Sequence, residues 1–120
     1  MKIVITSQGQ ALDSRMDSRF GRAAFFALLD TETGQMDVSQ NTQGQEAAQG
    51  AGIVAAERVA QLGAQAVVTG HCGPKAHRAL SAAGIRVFLC EGGTIAQALE
   101  KFNAGALGKA DGPDVAGHHA

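Results

Sequence analysis

The chain has 120 residues, which is the size of one domain with a hydrophobic core of its own. Its formal net charge of −1 at pH 7 disfavours general binding to nucleic acid or to an anionic membrane, and no apolar stretch is long enough to span a bilayer. The chain has no Trp or Tyr and only five Phe, which disfavours a base-stacking platform.

The first predicted element is a strand over Lys2–Thr6, where β-branched residues follow one another. This apolar run is too short for a signal peptide, so we expect a cytoplasmic protein. In that compartment Cys72 and Cys90 should stay reduced. Cys90 is predicted to be a small buried hydrophobic residue.

A long polar segment, Ser7–Arg22, follows without hydrophobic periodicity. Its basic residues are Arg15, Arg19 and Arg22. A loop of this length is uncommon in a compact domain and is often functional, and we expect it to be mobile before a ligand binds. Ala23–Asp30 and Gln35–Ser39 are predicted strands joined by a hairpin turn over Thr31–Gly34.

Helices and strands then alternate. Gln40–Gly50 is predicted as a flexible polar loop, and a helix with one apolar face starts at Ala47 or Gly50 and runs to Leu62. Ala66–Thr69 is a continuous apolar run, which is typical of a strand buried on both faces. The sequence Gly-His-Cys-Gly-Pro leads from this strand into a helix, because Pro is favoured at the first helical position.

The last predicted strand is Ile85–Leu89, and the loop Cys90–Gly93 follows it. Thr94 with Gln97 matches a capping box, which starts a final helix that runs to about Asn103. We therefore predict one domain over residues 1–103. Residues 104–120 are predicted to be a flexible tail rich in Gly and Ala, ending near His118-His119.

The predicted order β-β-β-α-β-α-β-α defines an α/β fold with a mixed five-stranded sheet and helices on both faces. The first three strands have short connections and are predicted to be antiparallel neighbours, whereas the later strands arrive through helical crossovers and should be parallel. The loops Ser7–Arg22, Gly70–Gly73 and Cys90–Gly93 should then meet at the carboxyl edge of the sheet, where ligands bind in open α/β sheets. The Gly-rich start of the first helix can join them.

The residues predicted at this edge are compatible with several kinds of site. A closed mononuclear metal site is disfavoured, because it needs about four N or S ligands at close spacing and the chain has no Cys-x-x-Cys. His71 and Cys72 are adjacent in sequence, which is weak support for a catalytic dyad. Glycine N–H groups, helix N-termini and arginines around a bound anion fit better. The sequence alone does not separate a phosphate from a metal–sulfur anion.

A series of short motifs adds a family resemblance. In chain order they are Ser18–Ala23, Gly50–Ile53, Ala66–Gly70 with Gly73 and Ala76, and Gly84–Val87. Their order resembles the dinitrogenase iron–molybdenum cofactor binding family over residues 1–103. No single motif is specific, and it is the order of the motifs that carries the resemblance.

The resemblance implies a ribonuclease H-like three-layer fold and a non-enzymatic role in binding or carrying a molybdenum-containing metal–sulfur cluster. Within the family the chain is similar to small proteins of anaerobic bacteria. For these proteins the implied cofactor is a molybdenum–copper sulfide cluster, or a related molybdenum–iron–sulfur cluster, that is held non-covalently. Protein partners in cluster delivery or in a larger complex are implied, and nucleic acid and membrane are not.

The candidate cofactor-binding residues lie in two loops. They are Arg15, Arg19, Phe20, Gly21 and Arg22 in the first loop, and Gly70, His71, Cys72 and Gly73 in the second. A negatively charged sulfide cluster would be attracted to these arginines, and also to Lys75 and Arg78 near the second loop. Soft thiolate suits copper(I), so Cys72 and His71 are the candidate metal ligands. We expect Cys72 at the mouth of the pocket and His71 along its wall.

Two alternatives stay open at this point. One is an enzyme of the thiol-transfer or phosphate-ester type that uses Cys72 as its nucleophile, which would require a lowered thiol pKa. The other is an interaction module that binds a protein partner and no cofactor. No complete catalytic constellation is present in the sequence, so the non-enzymatic interpretation is preferred.

Overall fold

The centre of the molecule is a mixed β-sheet built from the apolar runs of the chain. In a computed structural model that describes residues 1–110, the strands are β1 (Lys2–Ser7), β2 (Phe25–Asp30), β3 (Met36–Gln40), β4 (Ala66–Thr69), β5 (Arg86–Leu89) and β6 (Gly108–Lys109). The strand order is β3-β2-β1-β4-β5-β6. The antiparallel pairing of β1 with β2 and of β2 with β3 is confirmed, as is the parallel pairing of β4 with β1 and with β5.

The helices cover both faces of this sheet, as predicted. They are α1 (Thr42–Glu46), α2 (Ala51–Gln61), α3 (Pro74–Ala82) and α4 (Ile95–Asn103). One core contains buried side chains of α2 and α3, and a second core contains those of α4. The molecule therefore has three layers, with the sheet in the middle.

β1 shows how one strand serves both cores. Ile3, Val4 and Ile5 are all 0% exposed. Because successive side chains of a strand point to opposite faces, Val4 packs into the α2 and α3 core while Ile3 and Ile5 pack into the α4 core. Because β1 is buried on both faces, its sequence is a continuous apolar run.

Helix ends follow the local signals in the sequence. Gly63 and Gly84 adopt φ values of +81° and +76° just after α2 and α3, a region that favours glycine. Pro74 is the first residue of α3. The capping box of α4 is confirmed, since the Thr94 hydroxyl accepts from the Gln97 N–H and the Gln97 side chain accepts from the Thr94 N–H.

Two elements were not predicted. The segment expected to be a flexible loop, Gln40–Gly50, contains the short helix α1, whose five mostly polar residues carry no hydrophobic periodicity. The sheet has six strands where five were predicted, because Gly108–Lys109 pairs antiparallel with β5. A strand of two residues is too short to produce an alternating pattern in the sequence.

The predicted division into a domain over 1–103 and a tail over 104–120 stays a prediction. β6 lies beyond that boundary, and the Ala110 N–H donates to the Val87 carbonyl at 2.8 Å. Residues 111–120, including His118-His119, lie outside the described residues. Within residues 1–110, no helix is both long and apolar enough to cross a bilayer.

Candidate functional site

An open pocket of about 440 Å³ lies at the carboxyl edge of the sheet. Its walls are residues 19–22 of the loop after β1, residues 50–53 at the start of α2, and residues 71 and 73–76 at the start of α3. The predicted participation of the Gly-rich start of the first long helix is thus confirmed. Ile53, at the rim, is 41% exposed, which is unusual for a large apolar side chain in this protein.

The loops that build this edge are joined by backbone hydrogen bonds. The Phe20 N–H donates to the His71 carbonyl at 3.1 Å, and the Met16 N–H donates to the Gly93 carbonyl at 2.9 Å. The predicted meeting of the three loops is therefore confirmed. The segment that we expected to be mobile is held to both of the other loops, although residues 90–93 do not line the pocket.

Two helices begin at the pocket with their N-termini uncapped by side chains. The residues at the N-cap positions are Gly50 for α2 and Gly73 for α3, and neither helix has an acidic residue in its first turn. The first N–H groups of a helix lack intrahelical partners and carry partial positive charge. Two such groups of donors therefore lie beside one cavity.

The N-terminus of α4 provides a contrast within the same molecule. Besides its capping box, the Ile95 N–H donates to the Ser14 carbonyl and the Ala96 N–H donates to the Leu12 carbonyl, both at 2.9 Å. These bonds use the donors at the start of α4 within the protein. The starts of α2 and α3 receive no side-chain cap, and they are the two that border the pocket.

The charged side chains at the pocket are all basic. Arg19, Arg22 and Lys75 line it together with His71, and no Asp or Glu of the described residues does. The side chain of Arg19 is 61% exposed. Helix N-termini and cationic side chains together make a positive potential that favours an anionic ligand.

A buried carboxylate holds Arg19 in place. Asp17 is 2% exposed, and its oxygens accept from the Arg19 Nε at 3.2 Å and from an Arg19 Nη at 3.3 Å. The same carboxylate accepts from the backbone N–H groups of Arg19 and Ala24 at 3.1 and 3.2 Å. The hydrogen bonds and charge of Asp17 raise the pKa of the Arg19 guanidinium above its usual value. Arg19 is thus fixed as a cation before any ligand arrives.

Arg22 has a structural role as well as a place in the lining. One Nη donates to the carbonyls of Ala47, Gln45 and Gly44 at 2.7, 3.1 and 3.5 Å. Carbonyls at a helix end have no intrahelical partner, so this guanidinium closes the end of α1. It ties the loop after β1 to the segment that leads into α2.

Cys72 does not lie at its expected position. Cys72 is 1% exposed and packs in the α2 and α3 core, so the expectation that it lies at the mouth of the pocket is wrong. The reason is that residues alternate in direction after β4, and His71 is the exposed member of the pair. Cys90 is 3% exposed and belongs to the opposite core, which confirms its prediction as a small buried residue.

The other predicted site residues separate into two groups. Those that line the pocket are Arg19, Phe20, Gly21, Arg22, His71 and Gly73. Arg15 lies outside this lining, in an antiparallel bridge with Thr94. Gly70 also lies outside the lining. A Cβ at this position would lie 3.0 Å from Ser18, so glycine is favoured where the two loops cross.

Sequence reasoning missed two buried polar residues that support the pocket, Asp17 and Asn41. Asn41 is 3% exposed and its amide donates to the carbonyls of Gly21 and Ala23. For Asn41 the available signal was positional, because it is a short polar side chain between the end of β3 and the start of α1, whereas Asp17 lies within the long loop after β1 and carries no such signal. Lys75 and Arg78 had been predicted near the second loop, and of these two Lys75 lines the pocket while Arg78 lies outside its lining.

No ready-made metal centre is found among the described residues. Within residues 1–110, no three or more His, Cys, Asp or Glu side chains lie close enough together to hold a metal ion. The fold and the pocket thus define a small α/β protein with a cationic pocket at the carboxyl edge of a mixed sheet.

Comparison with known proteins agrees with the motif resemblance. Residues 1–105 match the family described as dinitrogenase iron-molybdenum cofactor. The apo form of the orange protein from Desulfovibrio gigas is 41% identical with a TM-score of 0.92, over 95% of this chain and 96% of that one. The chain therefore belongs to the dinitrogenase iron–molybdenum cofactor family.

More distant relatives are similar to this chain over most of its length. A putative NifB protein from Thermotoga is 33% identical with a TM-score of 0.79, over 90% of this chain and 91% of that one. An uncharacterized protein of Methanocaldococcus jannaschii is 27% identical over 100 residues, which are 81% of this chain and 84% of the relative. The similarity in each case extends over most of both chains, so the resemblance is one of whole domains.

Proposed function

We propose that this protein binds and carries an anionic, molybdenum-containing metal–sulfur cluster in the pocket at the carboxyl edge of its sheet. The observation that carries the proposal is the convergence of two uncapped helix N-termini with Arg19, Lys75 and His71 around a cavity without acidic side chains. The family to which the chain belongs is described by the iron–molybdenum cofactor of dinitrogenase, which supports a cofactor-binding role.

The donor set favours a cluster that brings its own sulfide ligands. Within the described residues there is no group of side chains that could complete the coordination of a bare metal ion. A cluster whose metals take most of their ligands from its own sulfide needs mainly positive charge and hydrogen bonds from the protein. Backbone N–H groups at the starts of α2 and α3 would supply the hydrogen bonds, and Arg19 and Lys75 the charge.

A molybdenum–copper sulfide cluster is the specific cargo that we favour. Copper(I) and sulfide are both soft, so such a cluster holds together without hard oxygen ligands from the protein. His71 would be the protein's nitrogen donor to copper, since it lines the pocket and is exposed. When bound, the cluster would supply the visible colour and the negative charge, while the protein supplies orientation and shielding.

A carrier fits the pocket better than the enzyme alternative. A thiol nucleophile has to reach its substrate, and Cys72 is 1% exposed in the core. The pocket also lacks a carboxylate for general acid–base chemistry or for binding catalytic metal ions. We also propose that the fold is ribonuclease H-like. The strand order β3-β2-β1-β4-β5 supports this assignment.

Loading of the purified protein under anaerobic conditions tests the proposal. Tetrathiomolybdate and copper(I) are added, and molybdenum and copper per chain are measured together with the visible charge-transfer bands. We expect stoichiometric uptake that weakens with increasing salt, because partly exposed charges are screened. A protein that stays colourless and metal-free, both after loading and when taken from its own anaerobic host, would contradict the proposal.

A matched pair of variants locates the cargo. Lys75→Gln removes a positive charge that lines the pocket, whereas Arg78→Gln removes one from the exposed surface of the same helix outside the pocket. We expect Lys75→Gln to weaken retention roughly fivefold, the size of a partly exposed charge contact, and Arg78→Gln to leave it unchanged. Equal effects of the two variants would place the cluster elsewhere.

A further inference from the structure

Asn41 holds the arginine-bearing loop from behind. It is 3% exposed, and its side-chain amide donates to the Gly21 carbonyl at 3.0 Å and to the Ala23 carbonyl at 2.9 Å. Its backbone N–H donates to the Ala24 carbonyl at 3.0 Å. One buried residue at the end of β3 therefore fixes consecutive parts of the loop that forms one wall of the pocket.

On its other side, Gly21 leaves no space between this loop and α2. A Cβ on Gly21 would lie 2.8 Å from the Gly52 nitrogen and 3.0 Å from the carbonyl carbon of Ala51. The loop and the first turn of α2 are thus in direct backbone contact. Displacement of Gly21 toward α2 is blocked sterically, and the hydrogen bond from the Asn41 amide holds the Gly21 carbonyl from the other side.

The same close packing continues from α2 to α3. A Cβ on Gly52 would lie 2.9 Å from the Cβ of Ala76. A continuous series of contacts therefore runs from Asn41 through Gly21 and Gly52 to Ala76. It connects the three walls of the pocket at positions with very small side chains. The distances between these walls can therefore change little.

We propose that Asn41 is a positioning residue that sets the width of the pocket by fixing the arginine-bearing loop at its contact with the N-terminus of α2. The inference rests on the proposed function, and it adds a residue that does not itself line the cavity. Without the amide of Asn41, the carbonyls of Gly21 and Ala23 lose their donor, and the loop is no longer fixed in this position. Arg19, on the same loop, then leaves its position relative to the two helix N-termini.

The decisive variant is Asn41→Ala, with Asn103→Ala as the matched control. Asn103 is an exposed residue at the end of α4, outside the pocket. After loading with tetrathiomolybdate and copper(I), we expect Asn41→Ala to bind the cluster roughly tenfold to 100-fold more weakly, as for other residues that orient a metal-site shell. We also expect the circular dichroism induced in the charge-transfer bands to change, which a simple loss of folded protein would not cause.

Gly52→Ala tests the same series of contacts from the helix side. The added Cβ meets Ala76 and has to separate α2 from α3, whereas Gly108→Ala adds a Cβ with nothing within 4 Å. We expect Gly52→Ala to alter the induced circular dichroism and to weaken loading, and Gly108→Ala to leave both unchanged. If Asn41→Ala does not fold, Gly52→Ala still decides whether pocket width controls binding.

A measurement on the ligand-free protein separates this inference from the proposed function. Hydrogen exchange of the backbone amides of residues 21–24 should accelerate in Asn41→Ala relative to wild type. Unchanged exchange, or variants that load and dissociate as the wild-type protein does, would overturn the inference. Failure of the wild-type protein itself to load would count against the proposed function, and the exchange data would still decide whether Asn41 positions the loop.

Discussion

At the scale of single residues, buried polar side chains organise the wall of the pocket. The carboxylate of Asp17 gathers two backbone N–H groups and a guanidinium, and the Thr6 hydroxyl donates to the Asp17 carbonyl at 2.6 Å. The hydroxyls of Thr6 and Thr69 lie 2.9 Å apart, which links the ends of β1 and β4. Each of these polar atoms is paired, as buried polar groups have to be.

Substitution of Asp17 by Ala is expected to destabilise the protein by about 2 kcal/mol, because the N–H groups of Arg19 and Ala24 lose their acceptor. The ion pair with the exposed guanidinium adds little, since solvent screens it. Urea denaturation measures the change, and Asp13→Ala, at an exposed position in the same loop, serves as the control. Equal stability of the two variants would show that the carboxylate does not hold the loop.

Substitution of Cys72 by Ala is expected to leave cluster loading unchanged and to lower the free energy of unfolding by about 1 kcal/mol, a common cost for a core substitution. The reason is that Cys72 packs in the core and does not line the pocket. Metal analysis and thermal unfolding on the same samples separate the two effects. A loss of loading with unchanged stability would instead identify Cys72 as a metal ligand.

At the scale of elements, the ends of helices and strands differ in whether their backbone groups are used inside the protein. The N-terminus of α4 is closed by its capping box and by two loop carbonyls. Those of α2 and α3 have no side-chain cap and no acidic residue, and they border the cavity. An unused set of N–H donors next to basic side chains is the feature that distinguishes a binding edge from a closed one.

The turn between β2 and β3 makes stability depend on pH. Hydrogen bonds from the Glu32 and Thr33 N–H groups hold the pKa of Asp30 below its usual value, so this carboxylate stabilises the turn when it is ionised. The contribution is complete above the ordinary carboxyl pKa of about 4 and is lost as the pH falls through the lowered value. In Asp30→Asn the corresponding pH dependence should be absent, which thermal unfolding between neutral and acidic pH measures.

At the scale of the whole molecule, the sheet separates two cores within residues 1–110, one on each of its faces. The α2 and α3 core lies under the pocket, and it includes Phe20, whose ring packs against Phe26 with centroids 6.0 Å apart. The second core is closed by α4 and contains a perpendicular contact of Phe88 with Phe102 at 5.2 Å. The pocket is therefore built on a closely packed layer, and the opposite layer covers the other face of the sheet.

Truncation tests how far the domain extends. A chain ending at Ala110 keeps β6 and the hydrogen bond of Ala110 with Val87, whereas one ending at Asn103 leaves the edge of β5 unpaired. We expect the shorter chain to melt at a lower temperature and to aggregate more readily, because an uncovered strand edge pairs with other chains. Equal melting temperatures of the two chains would support the predicted domain boundary at residue 103.

Local chemistry in the sequence determined most of the fold. The apolar runs that became β1, β2, β4 and β5, the glycines after α2 and α3, and the capping box of α4 each depend on interactions within a few residues of chain. The short elements α1 and β6 were missed because their stability comes from contacts with distant residues, such as Arg22 and β5. Element order then fixed the edge at which the loops meet, since parallel strands place their carboxyl ends together.

The composition of the site was decided only by the tertiary structure. The sequence placed His71 and Cys72 side by side, yet alternation of side-chain direction exposes one at the pocket and buries the other in the core. Asn41 and Gly52 acquire their roles through contacts with Gly21 and Ala76, which are far from them along the chain. Distances of this kind depend on how two helices and a loop pack in three dimensions, and no local pattern encodes them.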